Sequence, residues 1–581
     1  MSENKFDHVV YRQQWQANQE ILTKAGINTK EHDACGVGLI VDLNNTARRD
    51  VVTRAIEALK AVWHRGAVDA DGKTGDGAGI RLGIPQAFFR EHVERTGHKV
   101  PENANIAVGM VFLPRTNGAA QELCRTIVER EIIRSGLKIY GWRQVPTDQT
   151  ELGEKANATR PEIEQIMMEV GQDQDPQSFE RKLYVIRRRI EKAVNQESIS
   201  DFYICSLSNH SVIYKGMFLA EHIDSFYIDL KDPRFTSTFA LYHQRYSTNT
   251  FPTWKLAQPF RVLAHNGEIN TIKGNENWMA CHETRMGADI FSDDEMDAIK
   301  PVIQKGNSDS ASLDGAAELL TMSGRNLPFT KSMLVPEAWA HNKLMPQAHK
   351  DMYAYCNSVM EPWDGPAALC AVAGDWAIAG LDRNGLRPIR YAITGDGMLI
   401  AGSETGMVRV NEAEIKLKGR VGPGQMIAVN IAEGKFYSDT EIKDELSATL
   451  PFGKWVGDIT HLDDMLADAS GDTNNFESQY DAKGLRTKQL EYAQSIEDLE
   501  LILQPMIETG KEALGSMGDD TPMAVISESY RGLHHYFRQG FSQVTNPPID
   551  SLREWKVMSL STRLGNLRNV LEDSKDQCDI L

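Results

Sequence analysis

Residues Glu31-His32-Asp33-Ala34-Cys35-Gly36-Val37-Gly38-Leu39-Ile40-Val41 decide how this chain is read. A cysteine opens a glycine-spaced apolar run that predicts a strand, after 34 mostly polar residues. Two readings compete. Free cysteine is among the most buried side chains, so Cys35 reads as ordinary core. It also reads as a nucleophile that becomes useful once the Ala34–Cys35 bond is cut. The new α-amino group, with a pKa of about 8, then lies beside its own thiol and serves as its base. With residues 1–34 in place that nitrogen is an amide and no base.

Working outward, the 581 residues exceed one ordinary domain and predict roughly two to four. The hydrophobic fraction of 41% and charged fraction of 25% are those of globular protein. A formal net charge of −18 argues against nucleic acid or an anionic membrane as partner, since both need a basic footprint. No apolar run approaches the roughly 18 residues of a membrane span. The start, Met1-Ser2-Glu3-Asn4-Lys5-Phe6-Asp7-His8, lacks the basic and apolar regions of a secretory signal. The seven cysteines form no CxxC pair and no metal-ligand spacing, and their scatter suits a reducing cytoplasm.

Four stretches follow one another. Residues 1–34 carry a weak amphipathic helix pattern around Val9–Leu22 and read as a propeptide. Residues 35–430 show strand patterns at Cys35–Leu43, Gly77–Pro85, Ile106–Pro114, Tyr203–Lys215, Phe239–Tyr246 and Arg261–His265, and a meander over Ala367–Ser403. Helical periods lie at Val51–His64, Ala119–Ser135, Phe179–Asn195 and Ser310–Ser323. Two packed sheets with helices outside, an α+β fold, are the expectation. The polar segment of about 140–200 reads as a helical insertion. Residues 431–478 read as a connector rich in Asp, Gly, Ser and Asn. Residues 479–581 open with a helical stretch, Leu485–Leu514, that Pro505 is expected to break or kink, and continue with a strand-like Met523–Ser527.

The chemistry concentrates in Tyr242-His243-Gln244-Arg245-Tyr246-Ser247-Thr248-Asn249-Thr250 and in Ala264-His265-Asn266-Gly267-Glu268-Ile269-Asn270. A guanidinium at a strand end is a bidentate clamp for a carboxylate, or else a structural ion pair. An Asn amide beside a Gly N–H makes an oxyanion hole, or else a type I′ turn. Asn307-Ser308-Asp309-Ser310 reads as a helix start with Asp309 or Ser310 as cap, which leaves room for a substrate role of Asp309. Trp254 reads as core rather than lid. The glycines of Thr74–Gly79 form no phosphate loop, because no Lys-Ser/Thr follows; they read as a backbone turn lying close to the site.

In order, Cys-Gly-Val-Gly, His-Arg-Gly-Ala (His64–Ala67), Thr-Gly-Asp-Gly-Ala-Gly (Thr74–Gly79), His-Gln-Arg-Tyr-Ser-Thr-Asn-Thr, His-Asn-Gly-Glu-Ile-Asn, Ser-Asp-Ser-Ala-Ser-Leu-Asp and Asp-Arg-Asn-Gly-Leu-Arg-Pro (Asp382–Pro388) resemble the class II glutamine amidotransferase domain of the large subunit of glutamate synthases. Gly515–Asp520 and Gln543–Asp550 resemble the start of that family's central domain. The resemblance implies a four-layered αββα N-terminal-nucleophile sandwich. It implies Cys35 as nucleophile on glutamine, Asn266 and Gly267 as oxyanion hole, Arg245 on the substrate carboxylate, Asp309 on its ammonium and Thr248 as a further hydrogen bond.

In that family the ammonia aminates 2-oxoglutarate at a flavin site, with NADPH the expected reductant and a small flavoprotein subunit as partner. FMN and an iron–sulfur cluster are expected in the full-length parent, and no cofactor or metal in this chain. The sequence ends inside the central-domain resemblance, so glutamine hydrolysis, with a separate synthase half as partner, is the expected limit of its chemistry. The alternative is a truncated, catalytically incompetent remnant.

Overall fold

In the computed structural model, residues 35–171, 175–245, 251–467, 481–492, 494–510, 524–528 and 567–580 are described, with isolated positions between 513 and 565. The expected helix at Val9–Leu22 lies outside them. Strand β1 (Gly36–Asp42) is buried along its whole length, because it runs mid-sheet between two covered faces. Its glycines have a packing reason. A Cβ on Gly36 would stand 2.6 Å from Val62 Cγ2, and one on Gly38 2.1 Å from Tyr242 Oη.

β1 belongs to a seven-stranded sheet with β2 (Thr74–Gly83), β7 (Ser211–Phe218), β8 (Phe239–Gln244), β12 (Ile389–Thr394), β13 (Met398–Gly402) and β14 (Ile415–Val421), in the order β14-β12-β13-β1-β8-β2-β7. A five-stranded sheet runs β16 (Lys435–Tyr437), β15 (Met426–Asn430), β11 (Trp376–Leu381), β10 (Ala367–Ala373), β9 (Leu263–Gly267). The two sheets pack through one apolar layer. Val37, Leu39 and Val41 of β1 meet Ala368, Cys370 and Val372 of β10 within it.

Helices cover both outer faces. Helix α1 (Arg49–Ala61) buries Val52, Ala55, Ile56 and Leu59 in a core shared with Ile40, Ile80 and Tyr242. On the other side α4 (Asp309–Met322), α5 (Leu327–Leu334), α6 (Gln347–Val359) and α7 (Asp439–Ser447) pack on Leu369, Ala371, Ile378 and Ala428. The layers are α, β, β, α, as the resemblance implies.

The segment expected as a helical insertion instead contributes strands. β4 (Ile139–Gln144) and β5 (Glu162–Val170) join β3 (Asn105–Leu113) and β6 (Tyr203–Ser208) in a four-stranded sheet, backed by α2 (Gly118–Arg134) and α3 (Pro176–Gln196). The polar letters that hide β5 have partners. Buried Glu164 pairs with Arg125, and Gln165 donates to Tyr214 Oη at 3.0 Å. The single strand expected over Tyr203–Lys215 is two, turning where Ser208 Oγ accepts the N–H groups of His210 and Ser211 at 2.9 and 3.1 Å.

Two units are resolved by their contacts: the chain up to Ile459 together with Arg563–Ile580, and Thr460–Thr562 with Leu581. Residues 431–459, expected as connector, carry β16, α7 and the helix Phe452–Val456 and pack into the first unit's core. In the second unit, Asp498–Leu503 form a π turn running into Gln504–Thr509, with Pro505 in that helix's first turn. A proline without an N–H loosens the preceding turn rather than ending the helix. Ala524–Ile526, expected as strand, form one 3₁₀ turn.

Candidate active site

The site is assembled where three strands of the large sheet end together. Antiparallel pairing sets Gly36 opposite Gln244 and Val37 opposite His243, and continuing that register one step sets Cys35 opposite Arg245. On the far side of β8, Arg245 donates its backbone N–H to Gly77 O at 2.8 Å. Gly77 has φ +136°, and a Cβ there would meet that of Ala257 at 2.8 Å, so the Thr74–Gly79 backbone does lie against this site.

Arg245 is 6% exposed. Burial pulls its pKa down, while Cys35, Asp76 and Asp309 nearby push it up. Cys35, Asp76 and Asp309 are thus the groups whose charge favours the Arg245 cation. Asp76 is the member to which sequence reasoning assigned no role; it stands between Gly75 and Gly77 of the Thr74–Gly79 motif.

Asn266 and Gly267 close β9, the edge strand beside β10. They do not form a type I′ turn: Gly267 has φ +148°, Asn266 is not left-handed, and the pair remains in the ladder. A Cβ on Gly267 would stand 1.7 Å from Pro366 O, so only glycine fits. Asn266 is 2% exposed, and its Oδ1 has no hydrogen-bond partner among the described residues. A buried amide with unspent capacity is costly unless something else uses it.

Asp309 is the first residue of α4, and the cap is Ser308, whose side chain accepts from Ala311 N. Asp309 Oδ2 accepts the Ile269 N–H at 2.9 Å and Oδ1 that of Ser310 at 2.7 Å. The same turn holds His265, whose Nδ1 lies 2.7 Å from Ser310 Oγ. Burial depresses the pKa of His265. Gln258 brackets His265 from the other side, accepting its N–H at 2.8 Å and donating to its carbonyl at 3.2 Å. Gln258 is thus a support that no motif advertised, while Ser310, expected as a possible cap, holds His265 instead.

The His64–Ala67 motif braces the start of β1. His64 Nε2 lies 3.0 Å from Glu404 Oε1, and Arg65 pairs with the same oxygen. The preceding Ser403 exchanges bonds with both backbone groups of Val37, at 3.2 and 2.8 Å. Trp254 is core, 5% exposed, with its indole N–H on Ala156 O at 3.1 Å. Thr248 lies outside the described residues.

A family model described as "Glutamine amidotransferases class-II" matches residues 35–455, and one described as "Glutamate synthase central domain" matches residues 487–581. The chain is 59% identical over 569 residues to the glutamate synthase (NADPH) large chain of Azospirillum brasilense, covering 98% of this chain and 37% of that one. It is 41% identical over 558 residues to ferredoxin-dependent glutamate synthase 2 of Synechocystis sp., covering 96% and 35%. It is 40% identical over 546 residues to the glutamate synthase (NADPH) large chain of Bacillus subtilis, covering 94% and 35%. It therefore spans little more than a third of the length of these relatives. With the first model matching residues 35–455, well over half of its length, the chain belongs to the class-II glutamine amidotransferases.

Proposed function

We propose that this chain hydrolyses glutamine to glutamate and ammonia, as the amidotransferase half of a glutamate synthase that uses the ammonia to aminate 2-oxoglutarate reductively. The observation that carries it is the β1–β8 register, which brings Cys35 and Arg245 to one sheet end, where Cys35 and Asp309 both raise the Arg245 pKa. A thiol, a buried cation and an anion so grouped match the three parts of glutamine that need recognition: amide carbon, α-carboxylate and α-ammonium.

In this reading cleavage after Ala34 frees the Cys35 amine. The Cys35 thiolate attacks the amide carbon, and the amine carries the proton to the departing ammonia. Asn266 Nδ2 and the Gly267 N–H hold the developing oxyanion. Arg245 clamps the carboxylate and Asp309 the ammonium, with Thr248 a further donor to the head group. Water then releases glutamate from Cys35.

The synthase half of the large subunit, a small flavoprotein subunit, NADPH, FMN, an iron–sulfur cluster and a cytoplasmic setting belong to the same proposal. Among the described residues no three His, Cys, Asp or Glu side chains group as metal ligands. No described helix is long and apolar enough to cross a membrane.

The test is intact mass with active-site labelling. Loss of residues 1–34, covalent capture of one glutamine-mimicking diazo ketone at Cys35 and ammonia release abolished by Cys35→Ala are expected. An unprocessed, unlabelled chain that releases no ammonia would refute the reading and favour the remnant.

A further inference from the structure

A cavity of about 780 Å³ opens beside the four-stranded sheet. Its body is apolar, with Phe112, Phe202, Tyr203, Met217 and Trp254 in the wall. Its charge is one-sided: Arg115, Lys155, Arg160 and Lys255 line it against Asp201 alone. In a chain of net charge −18 that is a local reversal.

Arg160 is the decisive side chain. It is 8% exposed, and among the described residues no carboxylate pairs with it. Its guanidinium donates one long bond, from Nε to Asn157 Oδ1 at 3.4 Å. Arg115 beside it spends its donors on neutral carbonyls, those of Arg160 at 3.0 Å and Asn157 at 3.1 Å. Lys155 is neutralised by Asp69, but the exposed Lys255 has no carboxylate partner among the described residues. A counter-charge entering the cavity would meet a guanidinium that no carboxylate among the described residues compensates.

We propose that this cavity is a binding site for a small organic anion, an aromatic or apolar body bearing a carboxylate, sulfonate or phosphate, whose occupancy is coupled to the glutamine site. The dimensions and the lining, mostly apolar with a few convergent charges, are those of a small-molecule pocket. The coupling route is covalent and short. The wall residues Pro252–Lys255 continue into Ala257, which packs on Gly77, and into Gln258, which brackets His265 next to Asn266. A ligand that shifts this wall moves the two supports of Arg245 and Asn266 together.

The binding half of this inference stands without the glutaminase reading; the coupling half rests on it. The probe is 8-anilinonaphthalene-1-sulfonate, titrated into the full chain and followed by its fluorescence. One saturable site is expected, weakened at least tenfold by Arg160→Gln, severalfold by Lys255→Gln, and by added salt. If Arg160→Gln fails to fold, the exposed Lys255→Gln decides alone. Probe binding equally tight in the folded variants overturns the site as apolar adhesion. A glutamine KM that shifts with the probe in the parent chain but not in the variants supports the coupling; an unmoved KM overturns it. A chain that binds the probe with this selectivity but releases no ammonia keeps the site and removes the glutaminase reading instead.

Discussion

Asp309 Oδ2 accepts the backbone N–H of Ile269 at 2.9 Å, tying the first turn of α4 to the loop that leaves Asn266-Gly267. One carboxylate thus sets the loop and supplies negative charge that favours the Arg245 cation. Asp309→Asn keeps an oxygen for Ile269 and removes the charge. The glutamine KM should rise about 10–100-fold, the worth of one charge-assisted bond, with little change in Tm. Equal losses in KM and Tm would show that the carboxylate only holds the fold.

Asn266→Ala removes the amide whose buried oxygen lacks a partner and whose nitrogen is the proposed oxyanion donor. Ammonia release should fall about 10²–10³-fold in kcat. KM should stay within a few-fold, because the donor acts on charge that appears only in the transition state. Steady-state kinetics with glutamine separate the two constants.

Gly267→Ala and Gly306→Ala make a matched pair for thermal melting. Both glycines have positive φ, +148° and +83°, but a Cβ meets Pro366 O at 1.7 Å in the first and nothing within 4 Å in the second. Gly306→Ala should cost about 1 kcal/mol of conformational strain. Gly267→Ala should cost at least about 2 kcal/mol more, since the backbone oxygen cannot move out of the ladder. Equal melting temperatures would contradict this packing.

His243 gives the site a dependence on acidity. It is wholly buried, its Nε2 lies 3.1 Å from His265 O, and its Nδ1 has no partner among the described residues. Desolvation pulls its pKa from 6.5 down to about 3. Between those values the unfolded chain holds a proton that the folded chain refuses. Stability is therefore complete above about 6.5 and is lost as pH falls towards 3, by about 1.4 kcal/mol per unit for one proton. Denaturant titrations at pH 7, 5.5 and 4.5 should show this slope, and His243→Gln should flatten it.

Arg325 and Asp573 tie a remote segment to the helical layer. The guanidinium, its side chain 4% exposed, reaches Asp573 with bonds of 2.9–3.2 Å. Asp573→Ala strands that cation and should cost about 1–3 kcal/mol, reduced from the fully buried case because Asp573 is partly exposed. Hydrogen exchange should then accelerate across 567–580. Asp579→Ala removes the exposed pair with Arg568 and should leave exchange unchanged.

Where local chemistry sets local structure, the chain was legible from its letters. The β1 run, the helical periods of α1 to α4 and the turns at Gly385 and Gly397, with φ of +61° and +84°, stand where expected. Cys35, Arg245, Asn266 and Asp309 could be singled out because a thiol, a cation and an Asn-Gly pair are conspicuous at strand ends. β5 was not legible: Glu164 and Gln165 look like surface until Arg125 and Tyr214 arrive from other elements. Asp76 and Gln258 escaped for the same reason, as their meaning lies in distant partners, and Ser310, expected as a cap, instead meets His265. The stretch 431–459 reads as linker because its polar letters outnumber the few, Tyr437, Ile442, Leu446 and Phe452, that anchor it.

The clasp at 567–580 makes the borders of sequence families a poor guide to where this protein can be cut. Those residues fall within the stretch matched as a glutamate synthase central domain, yet Val570, Leu571 and Cys578 are buried in the core, where the segment packs on α6 and the helix Phe452–Val456. Asn569 also exchanges bonds with the backbone of Gly287. A fragment ended after Ile459 would leave that apolar seat open and Arg325 without its counter-ion. Such a fragment should be sticky and less stable than the longer chain, although every residue of its proposed catalytic centre is present. Supplying 567–580 as a separate peptide should restore it, which makes the clasp a natural place to split the molecule into two complementing pieces.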